Sequence, residues 1–182
     1  MTMQSLALFT HLLGMLALFV ALAVEWTAVE LLRTGDSARP SFATHLLRRL
    51  PRFTGIAVVL ILVSGIDLAV QFGFLRSAWV GVSFTAMVVM GGLGGAALRP
   101  LIRSIGSVAD PGGWRREASS SFLRVSLRAR IGVALGIVYV MVAKPDLFES
   151  TAIVAVALLL GAAGGVVAVP RNPAEFAAER RR

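Results

Sequence analysis

From Leu6 to Val24 the chain carries no charged residue, and His11 is the one strongly polar side chain in that run. At 1.5 Å rise per residue such a run spans close to the roughly 30 Å of a bilayer's hydrocarbon core. Four more apolar runs follow. The second is interrupted by Ser64, Asp67 and Gln71, and the third, Ala78–Leu98, has no charge at all. Trp79 opens the third run and Arg99-Pro100 closes it, as expected at a membrane–water boundary. The fourth has an uncharged core of only thirteen residues, Ile131–Ala143. Its flanking Arg128, Arg130 and Lys144 can extend it by reaching toward the two surfaces. Pro145 ends it, and Asp146 with Glu149 has the spacing of a helix cap and its partner, opening the fifth run.

The pattern predicts an all-α fold, one domain built as a bundle of five transmembrane helices over residues 5–32, 54–75, 78–98, 127–144 and 150–169. The connections at 33–53 and 99–126 are the long polar ones. In the first, Phe42, Leu46 and Leu50 repeat at helical spacing, so Ser41–Leu50 is expected to lie along the headgroups, with His45 at the water boundary. In the second, Asp110-Pro111-Gly112-Gly113 signals a turn, and Trp114–Arg130 is expected to run on as a helix into the membrane. The tail Pro170–Arg182 is expected to fray. Ala21-Leu22-Ala23 mimics a signal-peptide cleavage site, but no basic residue precedes the first run and the run is long. An uncleaved first helix is the expectation.

Composition agrees with the pattern. The 182 residues are 57% hydrophobic and 15% charged, less charge than a soluble domain needs to cover its surface. The net charge of +8 comes from arginines lying between apolar runs rather than along one face, and no nucleic-acid motif is present. Topology therefore explains the charge, and nucleic acid is not an expected partner. With five crossings, sixteen of the eighteen basic residues fall on one side, leaving Arg76 and Lys144 opposite. The positive-inside rule then places the N-terminus outside and the C-terminus inside a bacterial plasma membrane. Without cysteine, disulfides and thiolate metal sites are excluded.

That topology sets depth. His11 and Asp67 fall at similar heights in the outer half, and Ser64, Asp67 and Gln71 recur at i, i+3, i+7. Tyr139 and Thr85 fall near the same level. The expected site is a polar cluster of His11, Asp67, Ser64, Gln71 and Tyr139, with His11 and Asp67 as its charged centre. A mid-membrane carboxylate costs about 2.5–3.5 kcal/mol, so it normally finds a partner. That partnership serves equally as a structural tie or as a functional site.

Glu25, near the inner end of the first helix, is expected to pair with arginines of the adjacent loop. It shares a face with His11, Met15, Leu18 and Leu22, but no polar group fills the gap a proton path would need. Met15 lies one turn from His11, and thioether with imidazole suits Cu(I), although methionine also fills apolar cores. A bis-histidine haem b within one chain is disfavoured because His45 lies at the opposite surface; a second His11 from another copy keeps it open. Gly91, Gly92, Gly94 and Gly95 in the third run, Gly132 and Gly136 in the fourth, and Gly161, Gly164 and Gly165 in the fifth give repeated small-xxx-small spacing for close helix packing. Gly92-x-Gly94-x-x-Ala97 lies inside a run rather than after a strand, so it is not a dinucleotide fingerprint.

The histidine of THLLGMLALF, Ser64-Gly65-Ile66 followed by Trp79-Val80, and Arg130-Ile131 leading to Met141-Val142-Ala143-Lys144-Pro145 together resemble a group of small bacterial integral membrane proteins. These are similar in turn to the membrane part of copper-resistance protein D. The resemblance implies a ligand role for His11 and copper or haem as candidate cofactors. Two function classes follow from the residues. One is a membrane protein handling a proton, metal ion or lipid-soluble redox molecule at the outer-half site. The other is an accessory subunit docked on other membrane proteins or on its own copies. An enzyme ranks third.

Overall fold

The structure, a computed structural model, describes residues 3–34, 40–105 and 113–167. Every regular element among them is helical: α1 (Met3–Thr34), α2 (Pro40–Gln71), α3 (Ala78–Ile105), α4 (Gly113–Ala118), α5 (Ser121–Ala143) and α6 (Leu147–Val167). Five of these, all but the short α4, are long and apolar enough to cross a membrane, consistent with a multi-pass membrane protein.

Helix α1 is apolar almost all round, so its sequence does not announce which side packs. The fold selects one line: Ala7, His11, Gly14, Leu18, Ala21, Glu25, Ala28 and Leu32 are all buried. Those positions alternate by four and three residues, the spacing of a seam between helices crossing at a shallow angle. Helix α2 answers with Ala43, Leu47, Leu50, Ala57, Ile61 and Ser64, and the two pack extensively on each other. Gly14 sets the closeness. A Cβ there would come within 2.9 Å of Ile61 Cγ1.

Helix α3 buries Ser83, Met87, Met90, Gly94, Ala97 and Leu101 at the same alternation and lies mainly against α5. Helix α5 is the centre of the bundle: half of its most apolar window is buried, against 6% for α6. One side of α5 meets α3, with a smaller contact to α1, and another meets α6. A helix half enclosed by its neighbours needs less lipid-facing apolar surface, in keeping with its short uncharged core. The turn Lys144–Asp146 joins it to α6. Asp146 Oδ1 accepts the Glu149 N–H at 2.8 Å, and the Ser150 N–H bonds the Asp146 carbonyl, so the expected cap is present.

The expected boundaries change at two places. Ser41–Leu50 is not a separate interfacial helix: α2 runs unbroken from Pro40 to Gln71 through Pro51, with Ala43, Leu47 and Leu50 buried in the core. The tertiary contacts of that face hold the helix together across a proline that cannot donate its N–H. Trp114–Arg130 does not run on as one helix, because α4 ends at Ala118 and α5 starts at Ser121. The turn at Asp110–Gly112 and the tail Pro170–Arg182 lie outside the described residues.

Candidate functional site

The α1–α2 seam brings His11 against Ser64. His11 is 8% exposed, and its Nδ1 lies 3.1 Å from the Ile61 carbonyl and 3.2 Å from Ser64 Oγ. A carbonyl only accepts, and the Ser64 hydroxyl donates its own proton to the Leu60 carbonyl. Nδ1 must therefore carry the hydrogen. Of the two neutral tautomers this selects the one with Nε2 as an acceptor, and no hydrogen bond to Nε2 forms among the described residues. Gly65 leaves room for the ring, since a Cβ there would approach His11 Cε1 to 3.0 Å.

Beside this imidazole lies a cavity of about 300 Å³. Its walls come from α1, α2, α3, the end of α5 and the α2–α3 turn, and they are almost entirely apolar, with Phe72, Phe74, Trp79 and Phe84 supplying aromatic faces. It exists because α2 and α3, although consecutive, pack on each other far less than α1 packs on α2. The turn between them holds its shape through Gly73 (φ 71°) and the Phe74 N–H bond to the Ala69 carbonyl. Three polar side chains reach the cavity: His11, Ser83 and Lys144. Ser83 is 4% exposed, and its fully buried hydroxyl oxygen has no hydrogen-bond partner among the described residues. A buried hydroxyl left unbonded costs about 1–3 kcal/mol.

The polar cluster expected from the sequence does not assemble as drawn. Asp67 is exposed, and its carboxylate accepts from Gln71 Nε2 at 2.8 Å rather than meeting His11. After Ser64 the next buried position is Ala69, with Leu68 half-buried beside it, which leaves Asp67 outside, and one turn from the helix end its carboxylate can reach water. Tyr139 is 59% exposed on α5, and Thr85 faces outward, bonded to the Gly81 carbonyl. Met15 lines a separate, small apolar cavity of about 20 Å³ with Met87 and Met141. Among the described residues no group of three or more His, Cys, Asp or Glu side chains could hold a metal ion.

Three of the nine glycines singled out for packing, Gly91, Gly92 and Gly95, do not pack. A Cβ on Gly91 or Gly92 meets open space, and one on Gly95 touches only the Arg99 side chain at 4.0 Å. All three lie off the α3 seam, whereas Gly94 holds the close position: its Cβ would lie 2.7 Å from Arg130 Nη1. Gly132 and Gly136 face Ala157 of α6, while Gly161 and Gly165 face the α5 backbone at Arg128–Ala129 and Val125.

Glu25 pairs not with the loop after α1 but with Arg130 of α5. Both carboxylate oxygens receive guanidinium N–H groups, one at 3.0 Å, and both residues are buried. The sequence placed Glu25 on the His11 face; what it lacked was the partner, 105 positions away. Ser83 escaped notice altogether, because a serine in an apolar helix is ordinary and only burial without a bond makes it conspicuous. The same holds for Lys144, read from sequence only as a span end. Comparison of the chain with family models, with curated proteins and with solved structures finds no match.

Proposed function

We propose that the protein is a multi-pass protein of the bacterial plasma membrane, N-terminus outside, that binds a small lipid-soluble molecule in the cavity beside His11. Its orientation follows from the arginine distribution, which puts the cavity in the outer half. The observation that carries the reading is a 300 Å³ apolar cavity lined by His11, whose Nε2 has no hydrogen-bond partner among the described residues. Ligand pockets of this size pair apolar walls with a few convergent polar groups. The volume equals about ten waters' share of liquid, far more than a bare ion or a proton relay requires. A hydroxyl on the ligand can donate to His11 Nε2.

The test is extraction and mass spectrometry of the protein purified in lipid nanodiscs. Wild-type protein should retain a small molecule near one per chain. Ala69→Phe, which fills the cavity from α2, should lose it while keeping its melting temperature within a few degrees. Identical lipid profiles from the two proteins would end the reading.

A second reading has one observation behind it. Met87 and Met141 line the same cavity as His11, and two thioethers with an imidazole are a donor set suited to Cu(I). Copper analysis of the same preparations separates the two: stoichiometric copper lost in Met87→Leu would favour the metal.

A further inference from the structure

Lys144 stands where the cavity meets the outer membrane surface, and it is held there by unusual backbone geometry. Its φ and ψ are both 50°, a left-handed conformation uncommon outside glycine, and its N–H closes α5 on the Val140 carbonyl. Pro145 follows directly and restricts the chain beyond it. The ammonium lies over the ring of Phe74, 4.7 Å from its centroid. Phe74 packs edge-on against Trp79 at 5.6 Å and stacks on Phe72 at 6.2 Å, so the cation sits on an aromatic rim. No carboxylate pairs with Lys144 among the described residues. The nearest acid in sequence, Asp146, caps α6, and Asp67 is held by Gln71.

We infer that the ligand of this cavity is an anionic amphiphile of about ten heavy chain atoms, its carboxylate bound by Lys144 at the rim and its apolar chain directed toward Ser83 and His11. The inference rests on the proposed ligand-binding reading and adds the charge and orientation of the occupant. Chain length follows from the volume, at about 30 Å³ for each water-sized group. Orientation follows from charge. A carboxylate at the floor would face His11 Nε2, which presents a lone pair, and Met87 and Ile61, which present nothing polar. At the rim it meets an exposed ammonium without an acidic partner among the described residues, which can give a carboxylate a charge-assisted hydrogen bond.

Trp79 lines the cavity and reports on it. With Trp26→Phe and Trp114→Phe in place, it is the only tryptophan of the chain, whose three are Trp26, Trp79 and Trp114. The probes are decanoic acid brominated in mid-chain and the matching bromodecanol, added to protein in nanodiscs at about pH 8, where a carboxyl group is ionised. A Trp26-only protein measures quenching by probe merely dissolved in the bilayer. The acid should quench Trp79 saturably at a concentration at least tenfold below the alcohol. Lys144→Gln should bring the acid to the alcohol's concentration without moving the alcohol, and Lys144→Arg should keep the preference. Equal quenching by acid and alcohol in the wild-type protein, or a preference that survives Lys144→Gln, would overturn the inference and leave the cavity reading intact. No saturable quenching of Trp79 by either probe, beyond that of the Trp26-only protein, would overturn both.

Discussion

At Glu25 and Arg130 two opposite charges share one enclosed space, and Gly94 supplies the room for the guanidinium. Removing one partner of a buried pair strands the other, at a cost of about 3–5 kcal/mol, while replacing both with apolar residues of similar volume is often nearly neutral. Glu25→Ala is therefore expected to lower the thermal midpoint in detergent sharply, and Glu25→Leu with Arg130→Met to restore most of it. Asp67 sits at the other extreme. Exposed and bonded only to its neighbour one turn on, it should tolerate Asp67→Asn within about 0.5 kcal/mol, whereas Ser64→Ala should cost about 0.5–1.5 kcal/mol through the lost His11 contact. Thermal unfolding of both variants checks the contrast, and equal losses would return Asp67 to the site. A three-residue step from Ser64 points to Asp67 and a four-residue step to Leu68. The packing instead buries Ala69 and half-buries Leu68, leaving Asp67 outside.

Helices pack here through lines of small residues, and the line matters more than the residue type. Gly132 and Gly161 stand where the α5 and α6 backbones nearly touch, and added methyl groups would drive into main-chain atoms that cannot yield. Gly132→Ala or Gly161→Ala should cost about 1–3 kcal/mol by overpacking. Gly91→Ala meets open space and should be neutral or stabilising by up to about 1 kcal/mol through helix propensity. A series of thermal midpoints on these three variants separates seam glycines from bystanders. Helix existence was legible from the apolar runs, and so was the α6 cap from Asp146 and Glu149. The continuity of α2 through Pro51 was not, because local chemistry argues for a break there and only burial of Ala43, Leu47 and Leu50 overrides it.

Across the whole molecule, long apolar side chains stay on the outside: Leu160 is 69% exposed, Val59 57% and Leu8 51%, on three different helices. Exposed apolar surface of this kind is consistent with a multi-pass membrane protein. The proposed orientation is open to labelling, since the chain has no cysteine to remove first. Ser77→Cys, in the α2–α3 turn, should react with a membrane-impermeant maleimide in intact cells, and Ser104→Cys, near the end of α3, only after lysis. The reverse pattern would invert the topology and place the cavity on the cytoplasmic side. By itself the sequence determined the helices and the grouping of arginines on one side, because helix formation and membrane partitioning are summed over short windows of neighbouring residues. Tertiary structure decided which of many apolar faces pack, that Glu25 meets Arg130, and that α2 and α3 part to leave Ser83 without a bond. Those outcomes depend on contacts between segments far apart in the chain, where one residue's shift along a helix turns a side chain by 100°.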